Sequence, residues 1–215
     1  IWRMSVVPFP PMKRPLVAIL RGVKPAETAD IVSALIDSGM TAIEIPLNSP
    51  DPFRSIEIAV KHAPAGILVG AGTVLTLEAV ERLRDVGGRL LVAPNVDPDI
   101  IASARTHGMV TMPGVFTATE ALLAARAGAS CLKFFPASVL GAAGITAIRA
   151  VLPADLMIAA VGGVSDRNFA EYTKAGIVAF GLGSSLYKPG MTAAVIAANA
   201  RAPIDADAAA TQQAG

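Results

Sequence analysis

Thiol chemistry has little to work with in this chain. Cys131 is its only cysteine, so no internal disulfide can form. That residue lies in an apolar run and reads as a small core residue rather than a nucleophile. Histidine is nearly as scarce. His62 and His107 lie far apart at the predicted ends of helices, with no acidic or histidine neighbour at ligand spacing, so no metal site is expected on them. Aromatic residues make up 5% and charged residues 16%, and Lys plus Arg 18 against Asp plus Glu 17 leaves a net charge of +1. Without a basic stripe interleaved with aromatics, nucleic-acid binding has no support. Gly, Pro or charge interrupts each apolar run before the roughly 18 residues a membrane-spanning helix needs, so no membrane role is expected. The opening residues 1–15 hold four prolines and do not form a secretory signal. With the single cysteine, this makes cytoplasmic placement the default expectation.

What is abundant is apolar. Hydrophobic residues reach 53% and mean hydropathy is +0.56, which calls for a large core covered on both sides, or for surface hidden by other subunits. From Leu16 to about Ala200, short β-branched runs alternate with longer alanine-rich amphipathic ones. The strand candidates are 16–20, 41–45, 67–71, 90–93, 109–112, 131–135, 157–161 and 177–180. Between them fall helical runs at 25–38, 50–63, 76–86, 98–106, 118–127, 144–151 and 166–174. Several of these open on Pro, Thr, Ser or Asp and close on glycine, as at Gly39, Gly87 and Gly128. Strands that are continuously apolar, each followed by a helix, indicate a parallel sheet buried under helices. Eight such units fit a small (β/α)8 TIM barrel. A doubly wound nucleotide-binding sheet would show a glycine fingerprint after its first strand, where this chain has Arg21-Gly22-Val23. The reading has three parts: a proline-rich segment at 1–15, one barrel domain at 16–201, and a disordered tail at 202–215.

A parallel barrel puts its chemistry at the C-terminal ends of its strands. In order, those ends carry Arg21, Glu44, Gly72-Thr73, Pro94-Asn95, Pro113-Gly114, Lys133, Gly162-Gly163 and Gly183-Ser184. Lys133 lies within Leu132-Lys133-Phe134-Phe135-Pro136. An ammonium among such neighbours loses solvation, which favours the nucleophilic neutral amine of a Schiff-base lysine. The bland alternative is a lysine that snorkels to water. Glu44, within Ile43-Glu44-Ile45-Pro46, is either a structural ion pair with Arg21 or Lys133, or a proton shuttle with a raised pKa. The turns Gly162-Gly163 and Gly181-Leu182-Gly183-Ser184, each expected to open a helix, suit a phosphate held by backbone N–H groups, with tight unliganded turns as the alternative. Arg21 and Thr73 are candidates for a substrate carboxylate, and Arg21 could equally be a rim ion pair.

Taken together, these motifs resemble the pyruvate-forming class I aldolases that cleave 2-keto-3-deoxy-6-phospho sugar acids. The resemblance runs from about Leu16 to Arg201. It is carried by Ala18-Ile19-Leu20-Arg21-Gly22, Glu44-Ile45-Pro46-Leu47-Asn48-Ser49-Pro50, Gly70-Ala71-Gly72-Thr73-Val74, Pro94-Asn95, Pro113-Gly114, Leu132-Lys133-Phe134-Phe135-Pro136 and Val161-Gly162-Gly163-Val164. It implies a (β/α)8 barrel that uses no metal and no cofactor, assembled as a homotrimer. In it, Lys133 forms the imine, Glu44 is the general acid/base, Arg21 and Thr73 contact the carboxylate or pyruvate, and Phe135 forms a pocket wall. Pro94 and Val161 are further substrate-binding positions, and Gly162, Gly163, Gly183 and Ser184 form the phosphate cradle. Within the family the 6-phosphogalactonate branch is the nearer. Pro46, Asn48 and Val161 stand where the 6-phosphogluconate branch typically has threonine, arginine and threonine. The expected reaction is cleavage of 2-dehydro-3-deoxy-6-phosphogalactonate to pyruvate and D-glyceraldehyde 3-phosphate. The alternatives are the gluconate epimer or 4-hydroxy-2-oxoglutarate as substrate, a phospho-sugar isomerase using Glu44 alone, and a phospho-sugar-binding barrel without catalysis.

Overall fold

The computed structural model describes residues 5–12 and 15–213. Nine parallel strands and eight helices alternate along them. The strands are β1 (Leu16–Ile19), β2 (Ala42–Pro46), β3 (Leu68–Gly72), β4 (Leu90–Val92), β5 (Val110–Met112), β6 (Gly114–Val115), β7 (Cys131–Phe134), β8 (Met157–Val161) and β9 (Ala179–Leu182). The helices are α1 (Pro25–Asp37), α2 (Pro52–His62), α3 (Leu77–Asp85), α4 (Pro98–Thr106), α5 (Ala118–Ala127), α6 (Ala137–Arg149), α7 (Phe169–Lys174) and α8 (Ala193–Gln213). Strand order is β5-β4-β3-β2-β1-β9-β8-β7-β6.

The two ends of that order are neighbours in the chain, joined only through Pro113. β5 pairs with β4, whereas β6 pairs with β7, and the Lys133 N–H donates to the Pro113 carbonyl at 3.0 Å. They are one barrel strand in two pieces. Proline has no N–H to continue a ladder, so the strand changes partner there and the barrel closes. The expected eightfold barrel is present, with its fifth strand divided.

Alternation along the strands builds two apolar layers. Leu16, Ala18, Ile43, Ile45, Leu132 and Phe134 face the helices in the large core, while Val17, Ala42, Leu68, Leu90, Val110 and Cys131 form a separate cluster inside the barrel. On β2 and β7 the side chains that follow this inward row are Glu44 and Lys133. Val7, Phe9 and Met12 of the N-terminal segment pack against the inner cluster and cover the lower mouth of the barrel. The site therefore faces the other end.

Local sequence accounts for most helix starts. Asp97 accepts the Asp99 and Ile100 N–H groups at 2.9 and 3.2 Å ahead of α4, and Thr117 with Glu120 forms a capping box on α5. Two boundaries depart most from expectation. α6 begins at Ala137 rather than Gly144 and is interrupted at Gly141 (φ 70, ψ 164), a conformation open to glycine. The expected disordered tail from Ala202 is instead a continuation of α8 to Gln213, through Pro203. Its alanines favour helix, and Ile204, 4% exposed, anchors it to the core. Residues 1–4, 13–14 and 214–215 of the expected terminal segments lie outside the described residues.

Candidate active site

Glu44 and Lys133 are carried inward by the two-residue period of β2 and β7, and both are buried, 3% and 7% exposed. Their strand neighbours are small. Glu44 is in register with Gly70, and Lys133 stands between Gly114 and Ala159. A Cβ on Gly72 would collide with the Glu44 carboxylate, so that glycine is what lets the acid lie across the end of β3.

Neither bland reading of these two residues holds. Lys133 does not snorkel to water, and among the described residues Glu44 forms no ion pair with Lys133 or Arg21; its Oε2 is buried without a hydrogen-bond partner. Burial raises the Glu44 pKa to about 7 against the opposing pull of the Lys133 and Arg21 charges. Burial likewise lowers Lys133 to about 8, with Glu44 opposing and Arg21 adding to the effect. The Lys133 Nζ lies 4.7 Å from the centre of the Phe135 ring. A cation over an aromatic face is stabilised by about 2 kcal/mol when desolvated, which opposes the burial in part. The arrangement keeps a carboxyl and an amine apart, coupled through space, each able to change protonation near neutral pH.

Above them opens a cleft of about 570 Å³. Its wall brings together seven expected residues: Arg21, Phe135, Val161, Gly162, Gly163, Gly183 and Ser184. Lys133, Glu44, Thr73 and Pro94 are outside that wall. Lys133 adjoins it through Phe135. Thr73 is half-buried in the left-handed region at φ 57, a strained conformation for a β-branched residue. Pro94 is exposed, and the close packing of its carbonyl against Gly114 leaves no room there for a Cβ.

The glycine turns differ from expectation in how they end. After β8, α7 starts only at Phe169; after β9 there is a single turn, in which the Gly183 carbonyl accepts the Leu186 and Tyr187 N–H groups at 2.9 and 3.0 Å. Loop residues, rather than the N-termini of long helices, line the cleft there. Gly162 (φ 90) and Gly163 (φ 73) hold a conformation that disfavours side chains. Asn168 clasps this loop, accepting the Ser165 N–H at 3.0 Å and donating to the Gly163 carbonyl at 2.9 Å. Among the described residues, the Gly163 and Ser184 amides have no protein acceptor.

Sequence reasoning missed Asn168, and also Ser165, Tyr187 and Lys188 of the cleft wall. The Tyr187 hydroxyl donates to Glu27 at 3.1 Å, and its burial, together with Glu27, pushes the phenol pKa up. Nothing local marks these residues, because the loops after β8 and β9 meet only in the folded barrel. Cys131 is fully buried with its thiol pKa pushed up by burial, and no group of three or more His, Cys, Asp or Glu able to hold a metal occurs among the described residues. His107 pairs with Glu81 at 2.9 Å. No helix among the described residues is long and apolar enough to cross a membrane.

Known proteins share this architecture. The family model described as KDPG and KHG aldolase matches residues 12–200. The probable 2-dehydro-3-deoxy-6-phosphogalactonate aldolase of Rhizobium meliloti (strain 1021) is 74% identical over 88% of this chain and 90% of its own length. The 2-dehydro-3-deoxy-6-phosphogalactonate aldolase of Escherichia coli (strain K12) is 47% identical over 84% and 88%. A solved structure described as native KDPGal superposes with a TM-score of 0.92 at 45% identity, covering 94% of this chain and 98% of that one. The chain belongs to the KDPG and KHG aldolase family.

Proposed function

We propose that this protein is a class I aldolase that cleaves 2-dehydro-3-deoxy-6-phosphogalactonate to pyruvate and D-glyceraldehyde 3-phosphate. The observation that carries the reading is the buried, unpaired Glu44 and Lys133 at the mouth of the barrel, beside a cleft lined by Gly162, Gly163 and Gly183. Binding a phosphate needs neither group, and a phospho-sugar isomerase would need no amine.

The neutral Lys133 amine adds to the C2 ketone, and loss of water gives an iminium ion. Glu44, as carboxylate, takes the proton of the C4 hydroxyl. The C3–C4 bond breaks, and its electron pair moves into the iminium to form an enamine. Glyceraldehyde 3-phosphate departs. Glu44 returns the proton to C3, and water hydrolyses the imine to pyruvate and the free amine. Arg21 and Thr73 hold the carboxylate end; Phe135, Val161 and Pro94 bound the carbon chain; Gly162, Gly163, Gly183 and Ser184 receive the phosphate through N–H groups.

The galactonate epimer is favoured by Val161, which puts an apolar side chain, 7% exposed, at the cleft wall where a threonine would offer a hydroxyl. A homotrimer in the cytoplasm is part of the same reading. Exposed Leu75, Leu77, Phe116 and Leu123 provide apolar surface for assembly, and light scattering at three times the chain mass is the expected result.

Borohydride reduction in the presence of pyruvate tests the chemistry. The expected product is a stable adduct on Lys133, located by peptide mass. Absence of that adduct in active protein would refute the imine, and a kcat/KM no better for the galactonate than for the gluconate epimer would refute the substrate assignment.

A further inference from the structure

The loop after β1 carries Arg21, and the loop after β2 holds it from the side. Arg21 Nη1 donates to Asn48 Oδ1 at 2.6 Å, and the next residue's N–H, that of Gly22, donates to the buried Ser49 hydroxyl at 2.8 Å. Gly22 has φ +89 and lies so close to Pro189 that a Cβ there would meet the proline ring at 2.7 Å. The holding loop is itself fixed, with the Leu47 N–H on the Gly72 carbonyl at 2.8 Å and the Ser49 N–H on the Pro46 carbonyl at 2.9 Å. Glu44 and the clamp on Arg21 are thus four residues apart on one rigid stretch.

The chemistry of the clamp is its informative feature. An exposed guanidinium is ordinarily fixed by a carboxylate, which binds it best and cancels its charge. Here the acceptor is a neutral amide oxygen, and among the described residues no carboxylate forms an ion pair with Arg21. One N–H is engaged, the positive charge is intact, and the rest of the fork is free for a planar anion. We propose that Asn48 is a positioning residue: it orders Arg21 in advance for the substrate's 2-oxo carboxylate without neutralising it. Pre-ordering removes part of the rotamer cost of binding, and neutrality avoids competition with the ligand.

This inference rests on the reading of Arg21 as the carboxylate contact, so the test separates the two. Full-length protein is titrated with pyruvate, which has the carboxylate but no phosphate, and borohydride trapping on Lys133 is followed. Asn48→Asp keeps the size and the hydrogen-bond acceptor but adds a charge. A purely structural clamp would be as good or better with aspartate. The charge-sparing clamp is damaged: half-saturating pyruvate rises about tenfold or more, while trapping at saturation still reaches Lys133. Asn48→Leu, which frees Arg21 but leaves it charged, raises half-saturation less, about threefold. Arg21→Met is the control. If it raises half-saturation and Asn48→Asp does not, the Asn48 proposal falls alone; if Arg21→Met has no effect, both readings fall. Should Asn48→Asp melt early, an unchanged half-saturation in a folded Asn48→Leu overturns the proposal.

Discussion

Replacing Glu44 by glutamine should uncouple the two halves of the proposed reaction. Glutamine has the shape of the carboxylate lying across Gly72, so the barrel accommodates it. The Lys133 pKa is about 8 instead of 10.5, even though the Glu44 charge pushes it up. At pH 7 an ordinary lysine is neutral about 0.03% of the time, and one titrating near 8 about 10%, a gain of about 300-fold in nucleophile. Removing the Glu44 charge lowers Lys133 further. Imine formation with pyruvate should survive in Glu44→Gln, with the acid limb of its pH profile moved to lower pH. Cleavage, which needs a proton taken at C4 and returned at C3, should fall about a hundredfold or more. Stability supplies an independent readout. A carboxyl raised from 4.5 to about 7 stabilises the fold below its ordinary value, and that contribution is lost as pH rises through about 7. The loss amounts to about 3 kcal/mol, and glutamine does not titrate, so the variant's melting curve should lack this decline between about pH 4.5 and 7. Borohydride trapping, coupled turnover assays and parallel melts measure the three effects. Wild-type turnover in Glu44→Gln, or an acid limb shifted to higher pH, would refute the coupling.

Lys133→Met should abolish turnover and the pyruvate adduct while circular dichroism shows an intact fold; full activity would end the imine mechanism. Gly183→Ala and Gly163→Ala should part company. A Cβ on Gly183 meets nothing within 4 Å, so its variant should melt like wild type yet bind the phosphorylated substrate less tightly. A Cβ on Gly163, at φ +73 and 2.5 Å from the Ser138 Cβ, should cost about 1–3 kcal/mol in a denaturation experiment. Val161→Thr should move the ratio of kcat/KM for the two epimers about tenfold towards the gluconate, read by competing the two substrates. Lys188, an exposed cation in the cleft wall without an ion pair among the described residues, should matter to phosphate alone. Lys188→Met is expected to raise KM for the phosphorylated sugar acid about tenfold at low salt and leave pyruvate trapping unchanged.

Much of this protein was legible from its residues alone. The alternation of apolar runs placed every barrel strand to within a few residues except the Gly114–Val115 half of the fifth, and the ends of those strands contained the amine, the carboxyl, the arginine and both glycine turns. Local chemistry suffices for this: a two-residue period decides which face of a strand is buried, and capping residues and glycines mark where helices begin and end. Tertiary structure decided the rest. Whether Glu44 is an ion pair or a separate buried acid depends on the distance between β2 and β7, which no spacing encodes. The split of the fifth strand at Pro113 appears only when its two halves find β4 and β7. The clamp of Asn48 on Arg21 and the convergence of Ser165 with Lys188 join residues brought together by barrel closure, across 27 and 23 positions of chain. Sequence determines which groups are available and which way each strand turns them; only the closed barrel determines their separation, and with it their charge.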